Sequence, residues 1–162
     1  MEQSGLTPHA AIARRMRELR KGRGWSAERL AEEMRQVGIP WQRMVVTKLE
    51  LAAERGTAMR AISVEEFLAL AYVLSVAPIH LLVPPTGEDD LTRYAVTPHT
   101  DSVPFYARAW IRGLAPMGGQ DPRRYFSEVP EEEWHPPGWD PATIERYGAY
   151  YDRKKGAADD GR

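Results

Sequence analysis

The stretch Ser26-Ala27-Glu28-Arg29-Leu30-Ala31-Glu32-Glu33-Met34-Arg35-Gln36-Val37-Gly38-Ile39-Pro40-Trp41-Gln42-Arg43-Met44-Val45-Val46-Thr47-Lys48-Leu49-Glu50 reads as two helices joined by a short turn. Ser26 suits an N-cap, because its hydroxyl accepts from an otherwise unpaired backbone amide, and helix formers follow from Ala27 to Met34. The first helix is expected to run to Val37. Gly38 is placed to end it in a left-handed conformation, and Pro40 suits the first turn of the next helix, where a missing amide hydrogen costs nothing. The second helix is expected at 41–53.

At roughly 100° per residue, Trp41, Val45, Val46, Leu49 and Ala52 share one side of that helix, with Arg43, Met44, Thr47 and Glu50 opposite or on its flanks. Gln42 and Lys48 border the two faces. These outward types are those that read base edges in a major groove: Arg pairs with guanine, Gln with adenine, and an apolar side chain such as Met meets the thymine methyl. Arg43 and Thr47 point furthest from the expected core. The DNA-facing set on this reading is Gln42, Arg43, Met44, Thr47 and Lys48, with Ser26 and Ala27 at the start of the preceding helix and Arg55 and Arg60 in the segment that follows.

Arg20, Trp25-Ser26, Leu30-Ala31, Val46, Leu49-Glu50 and a helix opening at Ser63 resemble the Cro/C1-type (XRE-family) helix-turn-helix regulators of phage and bacteria. The resemblance covers about residues 10–83. It implies a mainly α fold with an N-terminal five-helix, lambda-repressor-like bundle, DNA binding as a homodimer, and a role in transcription regulation as a repressor. It also implies that Arg20 pairs with Glu50. The segment from Met34 to Trp41 is longer than the tight turn usual in that family.

Composition agrees with a small domain and an appendage. With 43% hydrophobic and 28% charged residues among 162, the chain can bury a core, and no apolar run approaches the roughly 20 residues that span a membrane. Residues 1–8 lack the basic-then-apolar pattern of a signal peptide, so a cytoplasmic setting is expected. With no cysteine, the sequence cannot form disulfides, zinc ribbons or a thiolate nucleophile. The net charge of −1 conceals an asymmetry: residues 1–60 hold 12 Lys and Arg against 7 Asp and Glu, a balance of +5, and residues 61–162 hold 10 against 16, a balance of −6. Phosphate binding draws on local cations, so the basic half can serve DNA.

Taken in order, residues 1–8 read as a flexible arm, and Pro8 to Lys21 as a basic helix with Ile12, Met16 and Leu19 inward. Trp25 is placed as a hydrophobic staple. Ala53 to Arg60 reads as a loop whose Arg55 and Arg60 can meet the DNA backbone. Ser63-Val64-Glu65-Glu66 is a capping box, followed by the stripe Phe67, Leu70, Ala71 and Leu74, and Pro78 to Val83 is a short fifth helix. The helix-turn-helix domain is therefore 1–85, with a linker at 86–98, an extension at 99–155 and a disordered tail at 156–162.

The extension differs in kind: eight of the thirteen prolines and three of the five tryptophans lie from Pro98 onward, which argues against both long helices and full disorder. It is expected to be irregular, with a strand near Leu91–Val96, one helix within Val103–Leu114 and another after Asp140-Pro141. A second functional reading belongs to this region, a protein-interaction module such as an antitoxin or co-regulator whose extension binds a protein partner. No enzyme, cofactor or metal is expected. Glu131-Glu132-Glu133 beside His135 is a solvated charge run, and His9, His80, His99 and His135 are too scattered to form a ligand set by spacing. Tyr147, Tyr150 and Tyr151 beside Arg153, Lys154 and Lys155 can stack on single strands, but helix packing is the commoner use.

Overall fold

The computed structural model describes residues 5–55, 60–87 and 89–127, with the side chains of 52–55 outside that description. The chain is mainly helical and divides into two compact units after Phe105. In the first lie α1 (Pro8–Gly22), α2 (Ala27–Gln36), α3 (Arg43–Arg55), α4 (Val64–Val73), α5 (Pro78–Leu82), β1 (Tyr94–Thr97) and β2 (Thr100–Ser102).

Helices α1 to α5 share one apolar core, built from Ile12 and Met16 of α1, Leu30, Ala31 and Met34 of α2, Val46 and Leu49 of α3, Leu70 and Ala71 of α4, and Leu81 of α5. Trp41 and Leu74, from the connections, join it. In α1, α2 and α3 these positions are three or four apart, the spacing that stacks side chains on one face. Caps define the ends. Thr7, Ser26 and Ser63 each accept from a backbone amide of the helix they open, and Glu66 returns the bond to the Ser63 amide, completing the capping box read from the sequence.

Gly38 adopts φ +88°, the left-handed conformation expected of it. Its amide bonds to the Arg35 carbonyl at 3.0 Å and the Ile39 amide to Met34 at 3.0 Å, a Schellman closure that satisfies the last carbonyls of α2. The same pair of bonds closes α4, where Ser75 takes the left-handed position with φ 44°.

Two expectations are corrected here. Residues 5 and 6 are not a free arm: the Leu6 amide donates to the Arg93 carbonyl at 2.8 Å, the Ala95 amide donates to the Leu6 carbonyl at 3.0 Å, and Leu6 bridges Tyr94 in parallel. A Cβ on Gly5 would sit 2.8 Å from the Arg93 carbonyl oxygen, so this approach requires glycine. The second concerns α3, which starts at Arg43 rather than Trp41 and runs through Ala53 and Glu54 to Arg55, where a loop was expected. The Trp41 amide turns back onto the Ile39 carbonyl at 2.7 Å, and the Trp41 carbonyl is held by Arg35 at 2.7 Å. Neither group is then free for a helical turn starting at Pro40.

β1 and β2 pair antiparallel, with Tyr94 opposite Ser102 and an irregularity after Ala95. Tyr94 is buried and its hydroxyl donates to the Leu82 carbonyl at 3.0 Å. The sequence reading places a linker at 86–98; β1 begins inside that range and is tied to Leu6 and Leu82, and the boundary between units falls after Phe105. Helix α6 (Pro104–Ile111) crosses that boundary and matches the helix expected within Val103–Leu114. In the second unit α7 (Pro122–Tyr125) is capped by Asp121, and the Tyr125 hydroxyl donates to the Trp110 carbonyl. The helix expected after Asp140, the tail at 156–162, and the Glu131–Glu133, His135 and Tyr147–Lys155 features lie outside the described residues. Among the described residues no helix is long and apolar enough to cross a membrane.

Candidate nucleic-acid interface

Helix α3 separates its residues as its periodicity requires. Val46 and Leu49 are completely buried, while Gln42, just before the helix, and Arg43, Met44, Thr47 and Lys48 are all exposed. The last four occupy positions i, i+1, i+4 and i+5, one contiguous face. Met44 is 62% exposed and adds an apolar side chain to this otherwise polar face. The Thr47 hydroxyl donates to the Arg43 carbonyl at 3.1 Å, so outward it offers lone pairs and a methyl group rather than a free donor.

Two anchors hold this face. On the α1 side, Arg20 grips Glu50 through two bonds, Nε to Oε1 at 2.6 Å and Nη2 to Oε2 at 2.9 Å, and its Nη1 donates to the Trp25 carbonyl at 2.5 Å. The hydrogen bonds it donates to Glu50 raise the Arg20 guanidinium further above its ordinary range, against the opposing effect of burial. This is the pair that the resemblance implies. The second anchor was not foreseen. Glu66 accepts from the Trp41 indole at 2.8 Å, from the Ser63 amide at 3.0 Å and from both terminal nitrogens of Arg60. Burial pushes the Glu66 carboxyl up, but the bonds from Arg60, Trp41 and Ser63 outweigh it and bring it down to about 2. Glu66 therefore stays ionised at neutral pH and fixes the residue two positions before α3.

Pairing distinguishes the cations. Arg14 and Arg15 meet Glu18, Arg17 lies 4.0 Å from Glu50, Arg29 meets Glu32 and Glu33, Arg35 meets Glu28, and Arg23 donates to the Val73 and Leu74 carbonyls and lies over the Trp25 ring. Arg60, expected toward DNA, is engaged by Glu66 and by the Ala61 carbonyl. By contrast the side chains of Arg43 and Lys48, like that of the exposed Lys21 on α1, form no ion pair with any described residue. Arg55 ends α3, with its side chain outside the description. Ser26 and Ala27 lie on a separate element, with the Ser26 hydroxyl occupied in capping α2 through the Arg29 amide at 3.0 Å.

The structure thus brings Gln42, Arg43, Met44, Thr47 and Lys48 together and gives Arg60 another partner. Glu66 and Trp41 were legible only as a cap and a core residue. Their meeting depends on α4 crossing the α2–α3 connection, and no local pattern encodes it. No cluster of histidine and carboxylate side chains with the makings of a metal site occurs among the described residues. No protein-family model, no curated protein and no solved structure matches the chain.

Proposed function

We propose that α1 to α5 form a five-helix, lambda-repressor-like bundle of the Cro/C1 type, and that the protein is a sequence-specific DNA-binding regulator whose α3 enters the major groove. One observation carries the reading: an exposed face with Gln42, Arg43, Met44, Thr47 and Lys48, whose two cations pair with no described residue, on a helix whose opposite side is buried and clamped at Glu50. On this face Met44 lies between two cations that pair with no described residue. Base edges and phosphates offer each of them a partner: guanine for Arg43, adenine for Gln42, a thymine methyl for Met44, and phosphate for Lys48. Thr47 contributes its methyl or accepts from a base amine.

Repression is the sign proposed, and a two-fold operator read by a homodimer the geometry, since one recognition helix reads too few bases for a unique site. The test is selection of genomic fragments by the purified chain at near-physiological salt, beside an Arg43→Ala, Thr47→Ala double variant. A shared motif enriched by the wild type alone is expected. Arg43→Ala by itself should weaken binding to that motif by about 1–3 kcal/mol with folding nearly unchanged. Equal enrichment by both proteins, or none, would reject α3 as the reading element and leave the interaction-module reading for a protein partner.

A further inference from the structure

Helix α4 is apolar on more sides than the described residues pack against. Leu70 and Ala71 are buried, yet Val64, Leu68 and Tyr72 on the outside are 69%, 51% and 77% exposed. Their spacing of four residues makes them one stripe about 12 Å long. Three contiguous exposed apolar side chains on one helix face offer a surface that a partner can cover.

We propose that this face is where two copies of the chain meet, with their α4 helices antiparallel about a two-fold axis through Leu68. The stripe is self-complementary in that arrangement: Leu68 meets Leu68, and Val64 of each copy meets Tyr72 of the other. Charge selects the direction. The exposed Glu65 flanks the N-terminal end, and the Arg23 guanidinium sits at the C-terminal end on the Val73 and Leu74 carbonyls. Antiparallel packing brings Glu65 of one copy toward Arg23 of the other and opposes the helix dipoles, whereas parallel packing sets Glu65 beside Glu65 and aligns the dipoles. Three side chains a copy fall short of the roughly 800 Å² per partner of a standard interface, so the association is weak in solution.

The chain has no cysteine, which allows the geometry to be read by cross-linking single introduced thiols. Under mild oxidation without DNA, Leu68→Cys should form a covalent dimer at least tenfold faster than Lys21→Cys, an exposed control. Val64→Cys and Tyr72→Cys should each cross-link slowly alone and quickly when mixed. In sedimentation at rising concentration, wild type should associate and Leu68→Glu should stay monomeric with an unchanged circular dichroism spectrum. Leu68→Cys no faster than the control, Val64→Cys faster alone than in the mixture, or Leu68→Glu sedimenting as wild type would each overturn the proposal. These measurements contain no DNA, so they succeed or fail independently of the role given to α3.

Discussion

Single residues carry some of the clearest expectations. Ser75 holds φ 44° at the end of α4, a conformation that costs a residue with a Cβ about 1 kcal/mol more than glycine. Ser75→Gly should therefore change stability by no more than about +0.6 kcal/mol in urea unfolding, the loss of unfolded-chain restriction offsetting most of the gain. Glu66 predicts a pH dependence. Its carboxyl lies at about 2 in the fold against 4.5 for the unperturbed group, so its contribution is complete above about 4.5 and is lost as pH falls toward 2. Glu66→Gln should be less stable than wild type at pH 7 and should show a shallower decline between those limits; parallel acid-unfolding curves would remove Glu66 from that role.

At the scale of elements, the placement of α3 against α1 depends on Arg20 and Glu50, whose side chains retain only 11% and 13% exposure. A buried pair does not add much over a well-packed apolar pair, but losing one member strands the other without a counter-charge. Glu50→Ala should cost about 3–5 kcal/mol, read from the urea midpoint, and the double change Arg20→Met, Glu50→Leu should recover a large part of that. If the single change costs under about 1 kcal/mol, the pair is solvated in solution as a surface salt bridge would be. These two residues lie 30 positions apart, and their pairing was legible only through a family resemblance. The helices themselves were legible from caps and periodicity: Ser26, Ser63-Glu66, Gly38 and Pro78 all act where they stand. The start of α3 was not, because Pro40 is as suitable for a first turn as for the connection it occupies. The choice was made by Trp41 reaching Glu66 and by Arg35 holding the Trp41 carbonyl.

Across the whole molecule, a net charge of −1 coexists with a basic first 60 residues, yet most described cations there are matched by a nearby carboxylate or carbonyl. On the DNA-binding reading, few phosphate contacts are left to each chain, so affinity should depend less on salt than the count of basic residues suggests. Lys48→Gln should weaken binding to all sequences alike and make the slope of log K against log salt shallower by about 0.9, the increment for one phosphate on duplex DNA. A slope unchanged by Lys48→Gln would take that side chain off the backbone. By itself the sequence determined helices α1, α2, α4 and α5, the Ser26 and Ser63 caps and the outward set Gln42, Arg43, Met44, Thr47 and Lys48, because these follow from periodicity and from hydrogen bonds spanning three or four residues. Only the tertiary structure decided that Arg60 faces Glu66, that Gly5 and Leu6 run beside β1, and that α4 keeps an apolar side outward. Each of these joins or leaves apart segments far separated along the chain, and such meetings are set by how the helices pack.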